Sequence, residues 1–285
     1  MSWYNKLKKM LLIACMPISL VGCNTSNTVN YDYSSKEILL ENNNQQIYGI
    51  AYIPETDKKE VPLVICSHGL GGSYQYTEDY AKQLASLGIS AYCFDFRGGG
   101  GRKSEGETTQ MSVMTEVSDL QTVIENAKKW DFVDANQIFL LGTSQGGLVS
   151  AITGARSQDD IVGLILLYPA FLVADTINER FQSLDEVPDE FTFMWIQAGR
   201  IYVEDVWGYD PYQEINNFKK NVLILHGSDD SIVPVKYSKQ ANETYSNSTL
   251  YIIDGAGHGF NGEHFDQAMD YITEYLDANI QGGLQ

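Results

Sequence analysis

Ser144 stands in Gly142-Thr143-Ser144-Gln145-Gly146, directly after the apolar run Gln137-Ile138-Phe139-Leu140-Leu141 and just before the small-residue stretch Gly147-Leu148-Val149-Ser150-Ala151-Ile152. A strand that ends in G-x-S-x-G and runs straight into a helix holds its serine on a tight turn above a sheet. The glycines on either side let backbone pass close by. Such a pentapeptide also occurs in ordinary turns, so its chemical meaning rests on what else the chain supplies. A serine hydroxyl attacks a carbonyl only with a base in hydrogen-bond reach and a third group to orient that base.

Of the four histidines, His258 lies in Gly255-Ala256-Gly257-His258-Gly259-Phe260, a glycine-rich loop after the last apolar strand pattern, and is the expected base. His226 ends an apolar run and reads as a packed structural residue, while His264 at the start of the final helix is the reserve. The acid is expected in His226-Gly227-Ser228-Asp229-Asp230, on the loop before Pro234. Asp230 is the choice, with Asp229 as the alternative or as a cap of the turn or the following helix. Two backbone N–H groups should face the developing oxyanion, one on Gln145 and one on Leu70 in Ser67-His68-Gly69-Leu70-Gly71-Gly72. His68 has no His, Asp or Glu partner nearby at ligand spacing, so no metal is expected, and nothing in the chain implies a cofactor. The run Asp95-Phe96-Arg97-Gly98-Gly99-Gly100-Gly101 lacks the spacing of a phosphate loop and reads as a flexible turn near the site.

These residues need a frame that brings distant loops together. Two opening strands, Ile38–Glu41 and Gln46–Ile53, flank a turn at Asn42–Asn44, and then strand and helix patterns alternate. Strands are expected at Val61–Cys66, Ile89–Phe96, Ile138–Leu141, Ile161–Leu167, Val222–Leu225 and Leu250–Ile253, with helices at Glu78–Ser86, Met111–Lys129 and Phe265–Leu276. Such alternation predicts an α/β fold with a mostly parallel eight-stranded sheet covered by helices on both faces. Roughly 50 residues separate Pro169 from Lys220, several times a usual α/β connection. They carry many aromatics, among them Phe193, Trp195, Tyr202 and Trp207, and read as a lid inserted at about 171–215.

The chain of 285 residues carries a formal charge of −18. Residues 1–22 hold three lysines and no acid, so without them the charge is −21, a surface that repels nucleic acid and anionic lipid. Lys6, Lys8 and Lys9 precede an apolar stretch, Met10–Val21, that is short for a bilayer span and suits a signal peptide. Its end, Leu20-Val21-Gly22-Cys23, resembles the lipobox of bacterial lipoproteins, which implies lipid on Cys23, a polar tether over 23–35, a folded domain over 36–285, and a place on the outer side of a bacterial membrane. Cys66 and Cys93 remain in the domain; both lie in apolar runs and are expected as buried free thiols, with a mutual disulfide as the alternative.

Ser67-His68-Gly69, Asp95-Phe96-Arg97-Gly98, Gly142-Thr143-Ser144-Gln145-Gly146-Gly147, His226-Gly227-Ser228-Asp229-Asp230 and Gly257-His258 together resemble the α/β-hydrolase superfamily over positions 36–280. Within it, Ser-Gln-Gly-Gly at the elbow, His-Gly-Ser-Asp-Asp at the acid and the short aromatic lid look most like bacterial cinnamoyl and feruloyl esterases. The four-glycine run departs from the more usual Arg-Gly-His-Gly. The resemblance implies a small-molecule ester as substrate, with Asp175 and Tyr202 near its phenolic end and Trp195 and Trp207 among its aromatic contacts. Other readings are a monoacylglycerol lipase or lysophospholipase, which His-Gly-Leu-Gly also resembles, a serine peptidase of the same fold, and a surface lipoprotein that binds without chemistry.

Overall fold

The computed structural model describes residues 30–284. The expected signal peptide, Cys23 and most of the tether lie outside the described residues. The first strand, β1 (Tyr33–Asn42), begins within the segment read as tether, and Tyr31 N–H already donates to Ser86 C=O at 2.9 Å. It turns through Asn43 and Asn44, both at positive φ, into β2 (Gln45–Pro54). Asparagine tolerates this left-handed backbone, which gives a two-residue hairpin its twist.

The main sheet continues with β3 (Val61–Ser67), β4 (Ser90–Phe94), β5 (Val133–Thr143) and β6 (Gly163–Leu167). A separate two-stranded hairpin follows, β7 (Glu190–Phe193) and β8 (Ile196–Gly199), before β9 (Asn221–Gly227) and β10 (Ser248–Ile253) return to the main sheet. Its order is β1-β2-β4-β3-β5-β6-β9-β10, eight strands of which only β2 runs against the others.

Helices α1 (Glu78–Ser86), α2 (Val113–Ala127) and α3 (Gln145–Arg156) connect the early strands. The lid contributes α4 (Val173–Arg180), α5 (Ile201–Glu204) and α6 (Pro211–Ile215), and α7 (Lys236–Thr244) and α8 (Glu263–Asn279) complete the chain. Strand alternation divides the core. Leu63, Ile65, Ile138, Leu140, Leu164 and Leu166 pack on one face with α2, α3 and the lid. Val64, Cys66, Phe139, Leu141, Ile165 and Leu167 pack on the other with α1 and α8. Helix α2 starts where Ser112 accepts the Thr115 N–H at 3.1 Å and Thr115 returns the contact to Ser112 N–H, a capping box that trims the expected 111–129 at its front. Cys66 and Cys93 are register partners on β3 and β4 and are free, buried thiols; the neighbouring Cys93, and then burial, push the Cys66 thiol up.

The four-glycine run is a turn beside the site, as expected, and its backbone passes close to neighbouring segments. A Cβ on Gly100 would sit 1.9 Å from Gly71 C=O, and Gly98 N–H donates to Glu105 C=O at 3.0 Å. This loop backs the segment that follows β3, and the close approach requires glycine at position 100.

Candidate active site

Each expected participant sits at the C-terminal end of a parallel strand, where loops from separated parts of the chain converge. Ser144 lies between β5 and α3 at φ 52°, ψ −118°, a strained conformation for a residue with a Cβ. The strain is held in place from both sides: Ser144 N–H donates to Leu167 C=O at 2.9 Å, and its own carbonyl accepts from Gly147, Leu148 and Ala170 N–H. A Cβ on Gly146 would lie 2.4 Å from the carbonyls of Ser67 and His68, so the elbow closes only with glycine there.

Ser144 Oγ donates to His258 Nε2 at 2.9 Å, and His258 Nδ1–H donates to Asp230 Oδ2 at 2.7 Å. Asp230 Oδ1 accepts the N–H groups of Ile232 (2.9 Å) and Val233 (2.8 Å), and Oδ2 also lies 3.2 Å from His226 Nε2. Burial works to raise this carboxyl, but the donors from His226, His258 and Val233 outweigh it and hold Asp230 below the usual carboxylate range. His226 is buried between the Ser238 hydroxyl on Nδ1 (2.7 Å) and Val233 C=O on Nε2 (2.8 Å), the packed role expected for it. Asp229 is exposed and accepts from Ser228, and His264 rests on α8 outside the triad. The ring of Tyr168, the first residue after β6 and itself at φ 40°, meets the His258 ring edge-on at 4.9 Å.

The loop after β3 lies against the nucleophile: a Cβ on Gly69 would be 3.0 Å from Ser144 Cβ and 3.6 Å from Oγ. His68 is buried. Its Nδ1–H donates to Gly69 C=O at 2.8 Å and its Nε2 accepts Phe96 N–H at 3.1 Å, a neutral form that fits its lowered pKa, which burial causes. It thus pins the loop that carries the Leu70 N–H. Gln145 is the first residue of α3, where backbone N–H groups have no intrahelical acceptor. Among the described residues neither the Leu70 nor the Gln145 N–H has a partner, leaving both free for an oxyanion. No group of three His, Cys, Asp or Glu side chains among the described residues is placed to hold a metal ion.

Two cavities meet at Ser144. One, of about 280 Å³, is lined by Tyr76, Tyr168, Trp195, His258 and the Gly69–Gly72 loop. The other is apolar and tight, about 20 Å³, lined by Leu70, Leu172, Val173, Thr176, Phe193, Met194, Tyr202, Ile232 and Val233. Room of that size holds roughly a single water. Trp195 borders both; it sits 57% exposed in the two-residue turn between β7 and β8, and its indole N–H donates to Leu70 C=O at 3.0 Å.

The other expected substrate contacts are placed differently. Asp175 is exposed on α4, lines neither cavity, and accepts the Tyr237 hydroxyl at 3.0 Å. Trp207 lines neither cavity and packs against the core. Tyr202 does border the tight cavity, but its hydroxyl is committed to Gln145 Oε1 at 2.6 Å, and Gln145 Nε2 in turn donates to Glu116 Oε2 at 2.9 Å. Sequence reasoning missed Glu116, Tyr168, Met194 and the aliphatic lining from α4. The signal for Tyr168 was its position just past a buried parallel strand, whereas Glu116 is one acid among polar positions of an amphipathic helix and carries no local mark.

The hydrolase family described as serine aminopeptidase, S33, matches residues 58–198. An Escherichia coli protein described as an uncharacterized 31.7 kDa protein in the traX-finO intergenic region is 32% identical over 274 residues, covering 80% of this chain and 94% of that one. The quorum-quenching protein AidA of Acinetobacter baumannii is 27% identical over 295 residues, covering 87% and 96%. Est1E of Butyrivibrio proteoclasticus, solved with ferulic acid bound, superposes with a TM-score of 0.78 at 24% identity, covering 86% of this chain and 99% of its own, a likeness of fold. With the eight-stranded sheet, the strained serine after β5 and the ordered serine, acid and histidine, these matches establish that the chain belongs to the α/β-hydrolase family of serine hydrolases.

Proposed function

We propose that the protein is a carboxylesterase acting on esters of aromatic, hydroxycinnamoyl-type acids. Ser144 Oγ attacks the ester carbonyl as its proton passes to His258 Nε2, the oxyanion is received by the Leu70 and Gln145 N–H groups, and His258 returns the proton to the departing alcohol. Water then repeats the sequence on the acyl-enzyme. Asp230, kept ionised by its donors, fixes the tautomer of His258 and stabilises the imidazolium.

The observation that carries the reading is the aromatic rim around the nucleophile. Tyr76 and Trp195, 73% and 57% exposed, stand with Tyr168 around the larger cavity, while Phe193 and Tyr202 line the narrow one. Flat rings stack on such surfaces. Neither cavity is lined by an Asp or Glu that would hold the ammonium of an aminopeptidase substrate, which favours an ester. The fold likeness to Est1E, solved with ferulic acid, supports the same class. We also propose that the enzyme is exported and held by lipid on Cys23, on the strength of Lys6, Lys8, Lys9, the apolar Met10–Val21 and Leu20-Val21-Gly22-Cys23. Mass spectrometry of the protein from its host would find an unmodified Cys23 if that is wrong.

Hydrolysis of methyl ferulate by residues 24–285, compared with short- and long-chain nitrophenyl esters and with Ser144→Ala, tests the function. Ferulate turnover that Ser144→Ala lowers by roughly 10⁴-fold or more is expected. Cleavage confined to the aliphatic esters would overturn the aromatic assignment and keep the esterase.

A further inference from the structure

A buried chain of hydrogen bonds leaves the catalytic elbow in the direction away from the triad. Tyr202 on lid helix α5 is fully buried and donates to Gln145 Oε1, and Gln145 donates from Nε2 to Glu116 Oε2 on α2. Three elements that are far apart in sequence thus meet on one carboxamide, whose own residue offers the N–H next to the nucleophile. The Tyr202 ring packs on Phe193 at 4.9 Å, one residue before the hairpin turn that carries Trp195. Glu116 ends the chain: it is 0% exposed, and its Oε1 has no hydrogen-bond partner.

A half-partnered carboxylate in a dry site is costly as an anion, and far less so as a neutral acid. The surroundings offer no cation to Glu116. Asp119, one turn along α2, adds like charge, and the nearby Arg97 is taken by Asp119 through Nε at 2.6 Å and through its backbone N–H at 2.9 Å; Asn42 also donates to Asp119, at 2.8 Å. From α3 comes the Gln145 amide, with Met111 Sδ at 3.8 Å from it; from the lid, the Tyr202 hydroxyl meets the same Gln145 and Asp205 accepts from Ser112 at the start of α2. With Oε2 accepting from Gln145, Oε1 is the oxygen left to hold a proton.

We propose that Glu116, as a neutral acid, is a positioning residue that fixes the Gln145 carboxamide and so ties the seat of the lid to the oxyanion donor. Burial, reinforced by Asp119 and opposed by the Gln145 amide, raises Glu116 to about 8. Ionisation above that pH leaves a charge with one donor, and the carboxamide then has two competing demands: to stay under Tyr202 or to turn with its acid toward water. The proposal rests on the part of the proposed function that makes Ser144 the nucleophile, whatever substrate it attacks.

The test measures two things on the folded protein and on Glu116→Gln, Glu116→Leu and Tyr202→Phe, from roughly pH 6 to pH 9. One is kcat and KM for an ester it cleaves, and the other is the rate at which a fluorophosphonate labels Ser144. Glu116→Leu is expected to lose roughly ten- to hundred-fold in kcat and in labelling rate with little change in KM, because the loss falls on the oxyanion geometry. Glu116→Gln, which still accepts from Gln145, is expected to restore most of that rate. The native enzyme should lose kcat with a midpoint near pH 8, and Glu116→Gln should lack this limb. Identical pH profiles for the native enzyme and Glu116→Gln, or a Glu116→Leu variant within twofold of native, would overturn the proposal. If Glu116→Leu does not fold, the Glu116→Gln profile and the Tyr202→Phe labelling rate decide it. Labelling without turnover of any ester would remove the esterase reading alone, since the labelling rates still report on Glu116.

Discussion

Two buried carboxyls flank the nucleophile, and they are treated in opposite ways. On the side of β9 and β10, Asp230 receives two backbone N–H groups, His258 and His226, and is held low. On the lid side, Glu116 receives one amide donor and is held high. Burial pushes both upward, so the number of donors decides the outcome: four keep a charge in place, one does not. A site that must carry a permanent anion is built on a strand-end loop with its own N–H groups turned inward, while a site enclosed beneath the inserted lid is left neutral.

The largest effect should come from removing the charge on the first side. Asp230→Asn leaves the volume unchanged but offers His258 the wrong hydrogen-bonding partner, and kcat is expected to fall by roughly 10³- to 10⁴-fold with KM little altered. Its stability cost has a direction in pH as well. Because the native pKa is depressed, the contribution of Asp230 is present above about pH 3.8, the ordinary value, and is lost as pH falls through the native one. The gap in Tm between native and variant should therefore narrow in strong acid, and a constant gap would show that the four donors do not act through the charge.

Glu116→Gln should behave inversely. The unfolded chain ionises Glu116 near 4.5 and the native state near 8, so the native protein loses stability across that window and the loss is complete above it. The Tm of the variant minus that of the native protein should rise from pH 4.5 to pH 8 and then level off; a difference flat across that window would show that burial does not hold Glu116 neutral. Smaller effects belong to the lid hairpin. Trp195→Phe keeps an aromatic ring but loses the donor to Leu70 C=O, worth about 1 kcal/mol, and kcat/KM for an aromatic ester should drop several-fold, read by steady-state kinetics. Met194 sits at φ 50° in the same turn, and Met194→Gly should relieve about 1 kcal/mol of backbone strain, seen as a small rise in urea midpoint.

The first carboxyl was legible in the sequence and the second was not. Asp230 follows an apolar strand run and precedes Pro234 in a loop whose order relative to Ser144 and His258 is fixed by the fold, so local pattern and chain order agree on it. The sheet was legible for the same reason, since fully buried parallel strands such as Gly163–Leu167 are continuous apolar runs. Glu116 is buried only because α3 and the lid close over it, and no periodicity within α2 records what those elements place there. The resemblance implied Asp175 near the phenolic end of the substrate, but α4 turns Val173 and Thr176 toward the cavity and leaves Asp175 to Tyr237. The side of a short helix that faces a site depends on how its partners dock, which only the folded chain expresses.

The carbonyl of Ser144 accepts from Ala170, the third residue after β6. Recombination between relatives with different insertions therefore has a natural seam. A crossover placed at Leu167 would exchange the Ala170 donor and the Tyr168 ring along with the lid, putting the strained serine at the mercy of a foreign segment. One placed after Ala170 would keep the elbow's support in the parent scaffold and let new lids, and with them new substrates, be sampled without disturbing the reactive turn.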